Sequence, residues 1–506
     1  MIPSTGLFRA FLAGFSLWLA VAVSATTGMA AKVSCRDWNM AKYLKSAKFF
    51  QRASAADVSR CLDAGANVDA RGGFGLTPLH LAAGYNENLA VLTALLKAGA
   101  VVNARDKFDR NPLHWAASNR NPAIAAALLK AGGEVNARTD GGQTPLHKAA
   151  YNENPAVVAT LLQAGGDPNA REVLGRTPLF HAALNENPAI TATLLKSGAN
   201  VNARDEAEGW TPLHRAALNK NPAVARALIH ARAEVNARDK SRTTPLHFAA
   251  SHSGNPAVVT ALLEAGAEVN ARDEQGRTPL HDAAMYSENP AVLEVLLDPG
   301  AKVDSRDKYG MTPLHLVTGY KENPAVMMAL LKAGSELNAR DEKGMTPLFR
   351  AASNENPAVV TTILKAGGDP NARDTLGQTP LFRAARNENP ATAAALLKAG
   401  ARVNARDKAK GWTPLHLATL NQNPAVATIL LKAGAQVDAR NNSGRTPLHW
   451  AAAYSRNPAV AAALLDAGAN PGARNKSGKT PRDYAKENPA LRGTEVYERL
   501  KAARSK

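Results

Sequence analysis

The chain has 506 residues, 45% of them hydrophobic and only 5% aromatic, and a formal net charge of +18. A single globular core of that length would be oversized, because chains beyond roughly 250–300 residues divide into domains. Yet no Gly/Ser-rich or Pro-rich linker marks a division, and beyond one N-terminal run no stretch is apolar enough to span a bilayer.

That run comes first. Arg9 is the only charge among residues 1–30, and an apolar segment from Ala10 to Val23 leads into small residues up to Ala31. This is the pattern of a secretory signal peptide, residues 1–30, with cleavage after Ala25 or Ala30. An uncut membrane anchor is the alternative, but the run falls short of the roughly 20 residues that spanning needs. The expectation is an exported chain, periplasmic or secreted, monomeric, with no membrane span. Its net charge is +17 once Arg9 leaves.

Residues 32–76 read as an N-terminal capping unit. An aromatic helix is expected from Trp38 to Phe50, then a second helix capped by Ser54 and ending at Gly65. Cys35 and Cys61 are the only cysteines, and an even pair in an exported chain reads as a disulfide. A buried free thiol at Cys61 is the alternative.

From residue 77 one motif dominates. Thr-Pro-Leu-His stands at Thr77, Thr144, Thr211, Thr244, Thr278, Thr312, Thr413 and Thr446, in units of 33 or 34 residues. Asn111 heads one variant, and Thr177, Thr346 and Thr379 head variants with Phe in place of His. Such a period signals a solenoid, whose units bury their apolar faces against each other. Within one unit, Thr144 and Pro145 open a first helix, while Asn154 and Pro155 open a second that stops at Gly165. Val157, Leu161 and Leu162 give the second helix its apolar face. Residues 77–479 hold twelve such units, and 480–506 form a C-terminal cap in which Arg482 and Asp483 replace Leu and His. Polar terminal units keep a solenoid soluble.

The unit running from Gly142 to Arg171 resembles the ankyrin repeat: a turn, a Thr-Pro-Leu-His helix start, an Ala-Ala pair, a helix ending Leu-Leu, then a Gly and an Asn-Ala turn. The match covers roughly residues 53 to 500. It implies an all-α repeat solenoid of stacked helix-turn-helix units with short β-hairpin-like turns and atypical caps at both ends. One departure runs throughout: Asn-Pro, as at Asn154-Pro155 and Asn356-Pro357, replaces the family's usual Gly-His between helices.

A longer repetition overlies the first. The segment Gly166 to Arg171 recurs at Gly368 to Arg373, and Gly209-Trp210 recurs at Gly411-Trp412, each shifted by 202. Phe180 and Phe382 keep the same shift. Six repeats were duplicated as a block.

Nothing in the chain assembles a catalytic set. His-Glu-x-x-His is absent, and Gly478-Lys479-Thr480 lacks the earlier Gly of a phosphate loop, position 473 being Ala. Nine of the twelve histidines occupy the Thr-Pro-Leu-His slot. The resemblance implies a structural role for them, bonding the Thr hydroxyl and the next turn, rather than a metal ladder. No enzyme activity, cofactor or metal is expected.

An arginine closes nearly every unit, from Arg71 and Arg105 to Arg440 and Arg474, often followed by Asp, as at Asp106, Asp205, Asp273 and Asp341. It reads either as a cationic rail for a polyanion or as Arg–Asp pairing between adjacent turns; the interleaved Asp row favours pairing.

The resemblance implies a concave binding face made of turn tips and first-helix ends. Where the units disagree there, they hold Phe108, Arg110, Tyr151, Arg176, Trp210, Arg242, His252 and Tyr286, then Tyr309, Met311, Tyr320, Met345, Arg386, Trp412, Arg445 and Tyr454. Trp, Tyr and Arg are the residues enriched at binding hot spots. Trp210 and Trp412 are expected as exposed tips whose loss spares folding; packing on a neighbouring turn is the alternative. The function expected is a non-catalytic scaffold for a protein partner. A polyanion binder (nucleic acid, glycan or lipid phosphate) and an effector exported to another cell are the alternatives.

Overall fold

The structure is a computed structural model that describes residues 34–38, 43–252, 254–320, 323–353 and 356–502. The expected leader, residues 1–30, lies outside the described residues, and so does the side chain of Tyr320. The described residues form 28 α-helices and two short 3-10 helices, with no strand. None of these helices is long and apolar enough to cross a membrane.

Each unit folds as its punctuation dictates. Thr144 is extended, and Pro145 begins a helix that ends at Ala149. Asn154 then caps Pro155–Gln163, its side chain accepting from the Ala156 amide at 3.0 Å. Gly165 stops the unit at φ +84°, a conformation that costs glycine little. First helices pack on first helices and second on second, from one unit to the next. Leu146, Ala149 and Ala150 meet in the core with Val157, Val158 and Leu161, all fully buried, and Leu162 is half-buried beside them. The small Ala pair allows this close approach.

The threonine caps its helix as expected, in a box that histidine completes: the Thr144 side chain accepts from the His147 backbone amide. The same hydroxyl also faces the ring. It meets the Nδ1 of the histidine three residues on, at 2.9 Å in Thr144–His147, and the Thr144 amide donates to the same nitrogen at 3.1 Å. His147 Nε2 lies 3.1 Å from the Arg176 carbonyl in the next unit. A carbonyl only accepts, so Nε2 carries the proton and the ring is neutral. Burial holds His80, His114, His147, His214, His281 and His416 down at about 4. Where Phe replaces the ring, the hydroxyls of Thr177, Thr346 and Thr379 are left buried without a partner. The histidine is a stitch between units.

Asparagines supply further stitches. Asn152 is buried; its amide donates to the Ala117 and Asn119 carbonyls at 2.9 and 2.8 Å, and its oxygen accepts from the Asn154 amide. Asn86, Asn119, Asn185 and Asn219 repeat the pattern. The helix-capping Asn154 also reaches back, donating to the Arg120 carbonyl at 2.9 Å.

The two ends differ from the interior. Cys35 and Cys61 form a disulfide across 26 residues of sequence, which in the chain-entropy view stabilises the cap by about 3 kcal/mol. The aromatic helix is described over Tyr43–Arg52, and Trp38, its expected first residue, closes a 3-10 turn. Trp38, Phe49 and Phe50 pack edge to face, with centroids 5.0–5.6 Å apart. Ser54 and Asp57 form a reciprocal capping box on Ala55–Asp63. At the other end Asp483 takes the histidine's place, accepting from the Thr480 amide and hydroxyl at 2.9 Å each. A last helix, Glu495–Ala502, follows and covers the final repeat with Val496 and Leu500.

Candidate partner-binding face

Turn tips run along one edge of the stack. Lys107 donates its amide to the Phe74 carbonyl, Asp140 to Phe108, Val173 to Gly141 and Glu206 to Leu174, at 2.8–3.2 Å. The row continues through Glu342 to Tyr309, Thr375 to Lys343 and Lys408 to Leu376. These bonds fix the tips in register, so Phe74, Phe108, Gly141 and Leu174 are successive positions of one row. The hairpin-like turns expected are present as loops closed by single backbone pairs, such as Asp106 N–H to the Arg110 carbonyl at 3.0 Å.

The arginine column at the foot of these turns does not make the Arg–Asp pairs expected. Each guanidinium donates to the main-chain carbonyl of the arginine one unit on: Arg71 to Arg105, Arg204 to Arg238 and Arg440 to Arg474, each at 2.7 Å, with Arg138 to Arg171 and Arg406 to Arg440 alike. Glutamates, not the Asp row, add the ion pairs, as in Arg105–Glu134 at 2.6 Å. The Asp row shapes its own turns: Asp106 and Asp273 each accept two amides there. The column stitches unit to unit through carbonyls, while its guanidiniums stay partly exposed.

The anticipated binding residues fall into three groups. Phe108, Tyr286, Tyr309 and Tyr454 are exposed, and so are Arg242, His252 and Arg386. Tyr286 stacks on His252, and Arg242 stands on its turn at φ +61°.

A second group is half-buried and packed on neighbours. Arg110 pairs with the buried Asp106 at 2.7 Å and lies over Trp115. Arg445 lies over Trp450 and Tyr484. Trp210 and Trp412 belong here, which corrects the exposed-tip expectation. Trp210 donates from Nε1 to Asp239 at 3.1 Å and packs on Phe248 at 4.7 Å; Trp412 packs on Trp450 at 4.5 Å. Each follows its tip rather than forming it, so its ring lies back on the next unit. Tyr151 bonds His181 Nδ1 through its hydroxyl, and burial pushes its phenol up to about 12.

The third group is withdrawn from the surface. Met311 and Met345 are at most 9% exposed, and Arg176 is 8% exposed beside Asp205 at 3.3 Å. Position −1 to the threonine is buried for Met311, Met345, Leu76 and Arg176, and half-buried for Trp210 and Trp412.

One column escaped the sequence reading. The residue after the histidine slot differs from unit to unit: Trp115, Lys148, His181, Arg215, Phe248, Asp282, Arg350, Arg383 and Trp450. It occupies the same face, between the tips and the first-helix ends. Arg215 lies over the Phe180 and Trp210 rings, and His181 Nε2 lies 3.5 Å from Glu172. Its variability within an otherwise repeated heptad was the available signal.

The family model for ankyrin repeats in three copies matches this chain in overlapping segments, the first at 39–139 and the last at 381–476. Curated proteins offer no match to the chain. With stacked helix pairs, Thr-Pro-Leu-His stitches and matched segments along most of its length, the chain belongs to the ankyrin-repeat family.

Proposed function

We propose that this protein is a non-catalytic scaffold that binds a protein partner along the face made by its turn tips and the variable column of its first helices. Ankyrin repeats are generally protein-interaction scaffolds. One observation carries the finer reading. The recurrent Thr, His, Asn and Arg of the repeat are taken up in bonds within and between units, while the residues that vary collect on one face. A purely architectural stack has no use for Tyr309, Phe108 and Tyr286 left exposed there. Export is part of this proposal, on the strength of the leader-like residues 1–30, and the Cys35–Cys61 bridge suits an oxidising compartment.

Cross-linking in the compartment the chain occupies tests the proposal. A specific protein should join through tip or variable-column residues. Nucleic acid or glycan as the joined species, with affinity that falls steeply in salt, would replace the reading. The mature N-terminus found at Thr26 or Ala31 supports export, and an intact Met1 contradicts it.

A further inference from the structure

The row of tips has one interruption among its first members. Phe74 and Phe108 stack at 6.2 Å, and Val173 and Leu174 are 67% and 40% exposed; between them the tip is Asp140-Gly141-Gly142, with no side chain to fill its place. The result is a cavity of about 440 Å³ over Gly141, walled by Phe108 and Leu174 and floored by Arg110, Gln143, Lys148 and Glu172. Its volume suits one large side chain and a polar neighbour.

The floor is unequally satisfied. Arg110 is neutralised by Asp106 at 2.7 Å. Glu172 accepts from Gln143 at 2.6 Å and faces His181. Lys148 makes no hydrogen bond or ion pair through its ammonium among the described residues. It is half-buried, and that burial, with Arg110 close by, pushes its ammonium below the ordinary lysine value. A cation that has lost water and gained no bonded acceptor is an incomplete site.

The duplicated block gives a control within the same chain. Shifted by 202, Gly141 becomes Lys343, Lys148 becomes Arg350 and Leu174 becomes Leu376. There the tip carries a long side chain, and Arg350 Nη2 reaches Asp341 at 3.4 Å and Met311 Sδ at 3.1 Å, although its Nε stays buried without a partner. The cation of the second copy is ion-paired where that of the first is not, and its tip is a lysine where the first has glycine.

The geometry points to the Gly141 cavity as the anchor point for a partner segment that presents a large apolar side chain with a carboxylate beside it. The apolar group lies between Phe108 and Leu174, and the carboxylate reaches Lys148. This assignment rests on the scaffold reading and narrows it to one pocket and one ligand chemistry.

The test uses N-acetyl-phenylalanine, which carries both groups, and its uncharged amide, with ligand-observed NMR on the full mature chain. The acid should bind with a dissociation constant on the order of 1 mM, and the amide at least ten-fold more weakly. Lys148→Met should erase the difference between them. Gly141→Leu should abolish binding of both. Its new Cβ meets nothing closer than Thr139 Oγ1 at 3.8 Å and its backbone is not left-handed, so the thermal midpoint should not move. Equal binding of acid and amide by the unaltered chain, or unchanged binding by Gly141→Leu, overturns the assignment. So does saturation of the signal by a second copy of the chain. If Gly141→Leu still cross-links the native partner at full yield, the pocket fails and the scaffold survives. If the unaltered chain joins no protein at all, the scaffold reading itself has failed.

Discussion

Six repeats separate the turn at Gly141 from the turn at Lys343, and their frames coincide. Val173 donates its amide to the Gly141 carbonyl at 3.0 Å, and Thr375 donates to Lys343 at 2.9 Å. Arg138 and Arg340 both reach the next unit's carbonyl. The surfaces nevertheless differ: glycine against lysine at the tip, and unpaired Lys148 against Arg350 ion-paired with Asp341. Trp210 and Trp412 teach the same lesson. Both rings pack on the next unit, but only Trp210 has a carboxylate for its indole, because Asp239 is answered by Asn441. Duplication kept the stitches and released the face.

The largest expected effect therefore lies in the frame, and it is alike in both blocks. Asn152→Ala strands two buried carbonyls and the Asn154 amide, and should cost about 3 kcal/mol. Asn421→Ala, which loses the bonds to the Asn387 carbonyl and the Asn423 amide, should cost about 2 kcal/mol. Urea unfolding measures both, and a loss under about 0.5 kcal/mol in either would deny the ladder its role.

Acid should act next, again on both blocks. The unfolded histidines titrate near their ordinary value of 6.5, and the buried rings near 4. Between those values the unfolded chain binds more protons, so stability is complete above pH 6.5 and is lost as pH falls toward 4. Melting followed from pH 7.5 to 4.5 checks this. A flat profile would mean the rings are not held neutral.

Two smaller effects separate the blocks. Trp210→Phe loses the bond to Asp239 and should cost about 1 kcal/mol, against less than about 0.5 kcal/mol for Trp412→Phe. Arg350→Met strands Asp341 and should cost about 1 kcal/mol, whereas Lys148→Met should be neutral within about 0.5 kcal/mol. Equal losses at the paired positions would remove the distinction between satisfied and unsatisfied faces.

Much of this was legible in the sequence, because the signals are local. Asn154-Pro155 and Gly165 punctuate helices wherever they stand, and the 33- or 34-residue period fixes what stacks on what. The Cys35–Cys61 bridge followed from counting. The arginine column was misjudged because its acceptors are main-chain carbonyls one unit away, and side-chain patterns carry no trace of a backbone acceptor. Met311 and Met345 were misplaced because position −1 can turn inward, as Arg176 and Leu76 also do, and the repeat spacing does not record which way it turns. Gly141 was invisible as a site because a search for aromatic and cationic residues passes over a missing side chain. The exposed positions Tyr309 and Tyr454 needed only the repeat register.

The central claim is that frame and face are separate, and that a protein partner uses the face. Hydroxyl-radical footprinting of the chain, free and joined to a cross-linked partner, tests it most directly. The account predicts protection at Phe108, Leu174 and Tyr309, with the second-helix surfaces such as Met328 unchanged. Protection centred on the second helices, with the tips left as reactive as in the free chain, would contradict it.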